Sequence, residues 1–219
     1  MPSPSPRIAA IVVAGGSGSR FGGLKQFAEL DGTTVAARSI SACRAVADSV
    51  VLVAPAGTHA THGADLVVAG GESRASSVRA GIAAIGADVD IIVVHDAARP
   101  LASERLFFGV VAELADERVD GAICAVEVTD TIKKVSLVDG RRRVDVTFDR
   151  SSLVAVQTPQ AFRAQVLRSA HMTEDDATDD SALVEAIGGV VVVVNGEIDN
   201  LKLTSPRDLV AAERVLGDR

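Results

Sequence analysis

Three short stretches gather residue types suited to phosphate chemistry. The first runs from Ala14 to Lys25 and reads A-G-G-S-G-S-R-F-G-G-L-K. Gly15, Gly16, Gly18, Gly22 and Gly23 let backbone N–H groups turn toward an anion with no Cβ in the way. Arg20 and Lys25 add two cations. Bare N–H groups beside cations suit a polyphosphate, so this stretch is expected to hold a nucleoside triphosphate. A flexible turn with two solvated basic residues would carry the same letters. The spacing fits neither common phosphate motif. Phe21 stands where the third glycine of G-x-G-x-x-G belongs, and Leu24 and Gln26 break G-x-x-x-x-G-K-[ST].

The second stretch is His95-Asp96-Ala97-Ala98-Arg99-Pro100, directly after an apolar run. Ligands of open α/β sheets sit at the carboxyl ends of the strands, where a carboxylate and a guanidinium are poorly explained as core. Asp96 suits Mg²⁺, a hard cation that takes oxygen ligands along with phosphates. A capping Asp96 paired with Arg99 is the plainer alternative. The third stretch, Gly70-Gly71-Glu72-Ser73-Arg74-Ala75-Ser76-Ser77, is a glycine turn that feeds a helix. Such an N-terminus suits an anion or a base edge, or is an ordinary capped start. Lys202, just before the last helix, is a further cation to place. His59 and His62 have a spacing conceivable for a metal pair, but no carboxylate or cysteine joins them, and they read as exposed loop histidines.

The elements that must position these groups follow from periodicity. Ile8–Val13, Ser49–Ala54, Asp65–Ala69, Val89–Val94, Gly121–Val128 and Gly189–Val194 read as strands. Helices are expected from Thr33 or Thr34 to about Val46, Ser73 to Ile85, Ser103 to Asp116, Ser181 to Ile187 and, after Ser205-Pro206, to Leu216. Pro159 should keep Thr158 out of a helix, with the next helix beginning at Ala161. The acidic run Glu174 to Asp180 is read as helix-dipole complement. Thr131–Val138 and Arg142–Phe148 alternate around Asp139-Gly140, the signal of a β-hairpin. A hairpin alone is marginally stable, so it should pack on a second subunit.

Composition bounds the class. The chain has 219 residues, suited to one domain (1–219) with a β-arm at about 131–150. At that length roughly 70% of the unfolded surface can be buried. Apolar residues make up 47% but aromatics only 3%, so the core must be Val, Ile, Leu and Ala, as in parallel strands covered on both faces. A net charge of -7 argues against nucleic acid as the main partner. Cys43 and Cys124 read as small buried hydrophobes, with no disulfide framework. The N-terminus lacks the apolar stretch of a signal peptide, and no apolar run approaches the roughly 20 residues of a membrane span, so a cytoplasmic location is expected.

Taken in order, the motifs resemble the 2-C-methyl-D-erythritol 4-phosphate cytidylyltransferases, of the isoprenoid-precursor nucleotidyltransferase family. The matching stretches are A-G-G-S-G-S-R-F-G…K-Q at 14–26, G-G-E-S-R-A-S-S-V at 70–78, H-D-A-A-R-P at 95–100 and D-T-I-K at 130–133. They continue with D-R at 149–150, T-P-Q-A-F at 158–162, T-D-D-S-A-L at 178–183 and N-L-K-L-T-S-P-R-D-L at 200–209. Relatives often carry Ala-Ala-Gly where this chain has Ala14-Gly15-Gly16, the stretch from Arg20 to Lys25 is short for the family, and Glu72 stands where an aspartate can occur.

The resemblance implies an α/β, Rossmann-like nucleotidyltransferase fold, with a mostly parallel sheet, helices on both faces and a hairpin arm that builds a homodimer. It implies Mg²⁺-dependent transfer of a cytidylyl group from CTP to a polyol phosphate, with release of pyrophosphate. Arg20, Lys25, Arg150 and Lys202 would be catalytic. Ala14, Gly15, Gly16 and Ser17 would hold the triphosphate, with Gly71, Arg74 and Ser77 around the cytidine. Asp96 and Ala97 would also lie at the nucleotide, Asp96 with the metal. Arg99, Thr158 and Lys202 would take the second substrate, with Thr131 and Arg150 reaching into a partner's site. The competing readings are a ribitol-5-phosphate cytidylyltransferase, a noncatalytic nucleotide-binding subunit and an NAD-type oxidoreductase.

Overall fold

A computed structural model of the chain describes residues 5–15, 24–172, 177 and 179–218. Expectations for Gly16, Ser17 and Arg20 lie outside the described residues. In chain order come strand β1 (Ile8–Val13), a 3₁₀ turn at Lys25–Phe27, the small hairpin β2 (Glu29–Leu30) and β3 (Thr33–Thr34), and helix α1 (Val35–Cys43). Then follow β4 (Ser49–Ala54), β5 (Leu66–Ala69), α2 (Arg74–Ala83), β6 (Ile91–Asp96), α3 (Glu104–Glu113) and β7 (Gly121–Glu127). The chain ends with β8 (Lys133–Val138), β9 (Arg141–Thr147), β10 (Val154–Arg163), α4 (Ala164–Ala170), α5 (Asp180–Ala186), β11 (Val191–Asn195) and α6 (Pro206–Gly217).

Seven strands form one sheet in the order β11-β7-β10-β6-β1-β4-β5. The pairs β5–β4, β4–β1, β1–β6 and β7–β11 are parallel, and β10 runs antiparallel to both β6 and β7. This is the expected mostly parallel sheet with helices on both faces. Alternation along the strands sorts the core. Ala10, Val12, Val50, Leu52 and Val93 pack with Ile40 of α1 and Phe107 of α3 on one face. Ala9, Ile11, Val51, Val53 and Ile92 pack with Val78 of α2, Leu167 of α4 and Val184 of α5 on the other. A third cluster sets Ala212 and Leu209 of α6 against Leu30, Leu101 and Leu203, which pins the segment before α6 beside the sheet's carboxyl edge.

Chain order reverses beside β1. The path through α1 leads to β4 on one side, and the path through α2 returns to β6 on the other. Crevices at such reversals are where open α/β sheets bind ligands.

One expected element is corrected. Ala161 does not begin a helix. Ala161 and Phe162 are fully buried and pair with Val93 and Ile92 of β6 and with Ala122 and Gly121 of β7. Their burial in mid-sheet outweighs local helix propensity, and the helix starts at Ala164. Between Val156 and Gln160 the pairing with β7 slips, a bulge that re-aims Gln157 and Thr158 toward the carboxyl ends.

The arm forms as its turn chemistry requires. Asp139 (φ 49°) and Gly140 (φ 74°) both take the left-handed region that a tight hairpin needs. Among the described residues β8 and β9 pair only with each other. Leu137, Val144, Val146 and Phe148 along the arm are exposed.

Candidate active site

The mouth of β1 is tied to its neighbours by backbone bonds. Ala14 N–H donates to the Val53 carbonyl (2.7 Å), Ala97 N–H to Val13 (3.0 Å) and Gly70 N–H to Ala54 (2.8 Å). The buried Gln26 side chain donates from Nε2 to the Ala14 carbonyl at 2.8 Å, strapping the Lys25–Phe27 turn across this mouth. Opposite it, Ser77 Oγ accepts from Gly71 N–H (3.2 Å) and donates to the Ser73 carbonyl (2.9 Å). Ser73 caps α2 reciprocally with Ser76. The two glycine turns come close: a Cβ on Gly15 would sit 3.1 Å from Ser77 Oγ and 4.0 Å from Gly70 Cα.

An ionic cluster lies between them. Lys202 Nζ meets Asp96 Oδ2 at 2.6 Å, and Arg74 Nε meets Asp96 Oδ1 at 3.3 Å. Arg74 Nη1 also meets Asp180 Oδ2 at 2.7 Å, and Asp180 Oδ1 accepts from His171 Nε2 at 3.0 Å. Burial alone would raise the Asp96 pKa, but the charges of Arg74 and Lys202 outweigh it and hold this carboxyl far below the usual range. Burial works against the Arg74 charge, yet Asp180 and Asp96 together push its pKa up. Arg99 differs: burial lowers its pKa despite Asp96 nearby. Its Nη1 donates to the Asn200 carbonyl at 2.7 Å.

A neutral network fixes the backbone at this point. His95 is fully buried and packs on Phe107 with ring centroids 5.0 Å apart. His95 Nε2 lies 3.2 Å from the Arg99 carbonyl, which can only accept, so Nε2 carries the proton. Nδ1 then accepts from the Thr158 hydroxyl (3.1 Å), whose oxygen accepts from Asp96 N–H (3.0 Å). Burial pushes the His95 pKa down to about 4, which keeps the ring neutral. Thr158, expected at the second substrate, thus has its hydroxyl engaged with His95 and Asp96.

Two cavities meet at the cluster. One of about 430 Å³ is lined by Ala14, Gly15, Lys25, Gly71, Ser77 and Ala97, among others. The second, of about 280 Å³, is lined by Arg99, Val156, Gln157, Thr158, Gln160 and Asp179. Arg74, Asp96 and Lys202 line both and form the wall between them. Lys25 Nζ reaches the Leu203 carbonyl at 2.7 Å, next to this wall. Among the described residues no group of three or more His, Cys, Asp or Glu converges as a metal cage. Asp96 would supply a carboxylate oxygen to a hard divalent ion such as Mg²⁺ beside phosphate oxygens and waters.

Other expected residues lie apart. Arg150, at the foot of the arm, is exposed and donates to the Thr129 carbonyl at 2.5 Å. Thr131 is exposed beside it. His62 is half-buried, not exposed: it stacks on Phe27 (4.9 Å) and bonds Thr34. Cys43 and Cys124 are buried free thiols, and burial pushes Cys124 up to about 12, so neither serves as a nucleophile. No helix among the described residues is long and apolar enough to cross a membrane. Sequence reasoning misses Gln26, His171 and Asp180. It places Asp180 in a generic acidic run, but this residue is 1% exposed, which helix-dipole complement does not require. A buried carboxylate needs partners, and the charged one, Arg74, lies 106 residues away in the chain.

Comparison with known proteins identifies the family. The family model described as IspD, 2-C-methyl-D-erythritol 4-phosphate cytidylyltransferase, matches residues 8–218. A bifunctional enzyme IspD/IspF from Anaeromyxobacter sp. (strain Fw109-5) is 42% identical over 96% of this chain and 57% of its own length. The chain therefore spans just over half of that relative. A 2-C-methyl-D-erythritol 4-phosphate cytidylyltransferase from Frankia casuarinae is 41% identical, covering 99% of this chain and 84% of that one. The crystal structure of the protein of that name from Thermus thermophilus superposes with a TM-score of 0.79 at 31% identity, covering 95% of this chain and 98% of that one.

Proposed function

The chain belongs to the 2-C-methyl-D-erythritol 4-phosphate cytidylyltransferase family, and from that premise we propose that it transfers the cytidylyl group of CTP to 2-C-methyl-D-erythritol 4-phosphate. The observation that carries this reading is the shared wall. Two cavities that meet at Arg74, Asp96 and Lys202 suit two anionic substrates brought together at one point. CTP occupies the larger, its triphosphate against the backbone of Ala14 and Gly15 and its base toward Gly71 and Ser77. The polyol phosphate occupies the smaller, near Arg99.

The attacking phosphate oxygen bonds to the α-phosphorus of CTP, and the bond to the pyrophosphate oxygen breaks. A phosphate nucleophile is already ionised, so no general base is needed, and positioning and charge supply the catalysis. Lys202 and Arg74 bring charge to the wall. Lys25 and Arg20 offset the negative charge that builds at phosphorus. Asp96 would hold Mg²⁺ together with phosphate oxygens, and when bound the ion neutralises the triphosphate. Arg99, braced by the Asn200 carbonyl, orients the second phosphate. The exposed arm pairs with a second copy of the chain in a homodimer, with Thr131 and Arg150 at the partner's site. The enzyme works in the cytoplasm.

The test is pyrophosphate release with CTP and Mg²⁺, comparing methylerythritol 4-phosphate with ribitol 5-phosphate. Release with the erythritol substrate, reduced about a hundredfold in Lys25→Ala (about 3 kcal/mol), is expected. Release with ribitol phosphate alone would move the protein to a different substrate, and silence with both would overturn the assignment.

A further inference from the structure

Arg74 is the member of the wall whose geometry the proposed reaction leaves unexplained. It begins α2, yet it is held from a distant part of the chain. Its Nη1 bonds Asp180, 106 residues away, at 2.7 Å. Asp180 opens α5 and is 1% exposed, and His171, at the end of α4, takes its other oxygen at 3.0 Å. Both carboxylate oxygens are therefore used. The Arg74 Nε sits at 3.3 Å from Asp96. That leaves Arg74 Nη2, which is buried and has no hydrogen-bond partner among the described residues, on a side chain that lines both cavities. A buried guanidinium edge without an acceptor is costly, and a ligand oxygen would satisfy it.

We propose that Asp180 is a positioning residue that holds the Arg74 guanidinium with its Nη2 edge presented to a ligand oxygen at the wall, and that His171 holds Asp180 in turn. This rests on reading the larger cavity as the nucleotide site. Asp96 is the other carboxylate within reach of Arg74, and arginine prefers a bidentate grip on a carboxylate. With Asp180 neutralised, Arg74 closes onto Asp96 with its Nε–Nη2 edge. That single shift withdraws Nη2 from the ligand and crowds Lys202 on the same carboxylate. Asp180 thereby keeps Arg74 divided between two anions, so that neither captures it.

A double-mutant cycle tests this. CTP affinity by titration calorimetry and kcat/KM for CTP are measured for wild type, Asp180→Asn, Arg74→Ala and the double variant. Asp180→Asn is expected to weaken both by tenfold or more with the thermal midpoint changed by a few degrees at most. In the Arg74→Ala background the same substitution should change them less than threefold, because the residue it positions is gone. Losses that multiply across the cycle would show that Asp180 acts independently of Arg74, and wild-type behaviour of Asp180→Asn would show that it does not act at all; either overturns the proposal. If Asp180→Asn fails to fold, His171→Asn takes its place, since it releases Oδ1 and keeps both charges. A loss that persists without Arg74 then overturns the proposal. Absence of turnover in the wild type would refute the assigned reaction, and the affinity cycle would still read the positioning.

Discussion

Taking the protein from pH 7 to pH 5 is expected to cost it about 2 kcal/mol of stability through His95. The ring is fully buried, and burial pushes its pKa from 6.5 down to about 4. Its Nε2–H is committed to the Arg99 carbonyl, and its Nδ1 is the acceptor for Thr158. A second proton would set Nδ1–H against a hydroxyl that already donates there. The folded protein therefore stays unprotonated at His95 down to about pH 4, while the unfolded chain takes up that proton from about pH 6.5 downward. The sign follows from linkage: the contribution is complete above pH 6.5 and is lost as pH falls, because the unfolded state binds the extra proton. The slope is about 1.4 kcal/mol per pH unit, so the span from 6.5 to 5 gives about 2 kcal/mol.

The assay is urea unfolding at pH 7, 6 and 5 for wild type and His95→Gln. The glutamine amide can donate to the Arg99 carbonyl and does not titrate. It lacks the ring that packs on Phe107, so the variant should be less stable at pH 7. The stability gap between the two proteins should then narrow by about 2 kcal/mol at pH 5. Other titrating groups are common to both proteins and cancel in the difference. A gap of constant size across this range would refute the reasoning that a neutral, proton-excluding imidazole supports Asp96 and Arg99.

Three further outcomes are expected. Thr158→Val leaves Asp96 N–H and His95 Nδ1 without partners; it should destabilise by about 3 kcal/mol in urea unfolding and slow pyrophosphate release in the protein that remains folded. Gln26→Ala removes the bond to the Ala14 carbonyl, and the KM for CTP should rise more than the thermal midpoint falls. Gly121→Ala places a Cβ 2.5 Å from the Phe162 ring, an overpacking that should cost about 1–3 kcal/mol in calorimetric unfolding with kcat unchanged at temperatures where the variant is folded.

Much of the sheet is legible because its signals are local. Apolar runs, capping serines and an Asp-Gly turn each report on neighbours in the sequence, and β1, β4, α2, the arm and α6 fall close to where periodicity puts them. β10 is misread after Pro159 because direction is not a local property. Ala161 and Phe162 suit a strand or a helix equally, and only pairing with β6 and β7 decides. The site divides in the same way. Gly15, Gly71, Arg74, Asp96 and Lys202 announce themselves by type and by place in a motif. Gln26 and Asp180 lie in matching stretches and His171 in none, but the roles of all three show only in the contacts that folding brings together.

That difference explains why Asp96 reads as a metal ligand first and an ion-pair partner second. In the sequence its near cation is Arg99, three residues on. In the fold its direct partners are Arg74 and Lys202, 22 and 106 residues away. Two cations at one wall would repel each other and turn to solvent if nothing lay between them. A buried carboxylate bridging both keeps them side by side, and the same two charges hold its pKa far below the usual carboxylate range, which favours the ionised form. The same charge that suits Asp96 to a divalent ion thus also gathers the cations that a phosphate would meet. Arg74, shared with Asp180, has two carboxylate partners, whereas Lys202, 44% exposed, has one among the described residues and a flexible stem. The backbone beside Lys202 is itself held, by Leu203 N–H on the Ala98 carbonyl, by Lys25 and Arg99 on the Leu203 and Asn200 carbonyls, by the Asn200 amide on the Thr158 carbonyl and by the α6 cluster, so what is adjustable on that side of the wall is the lysine side chain.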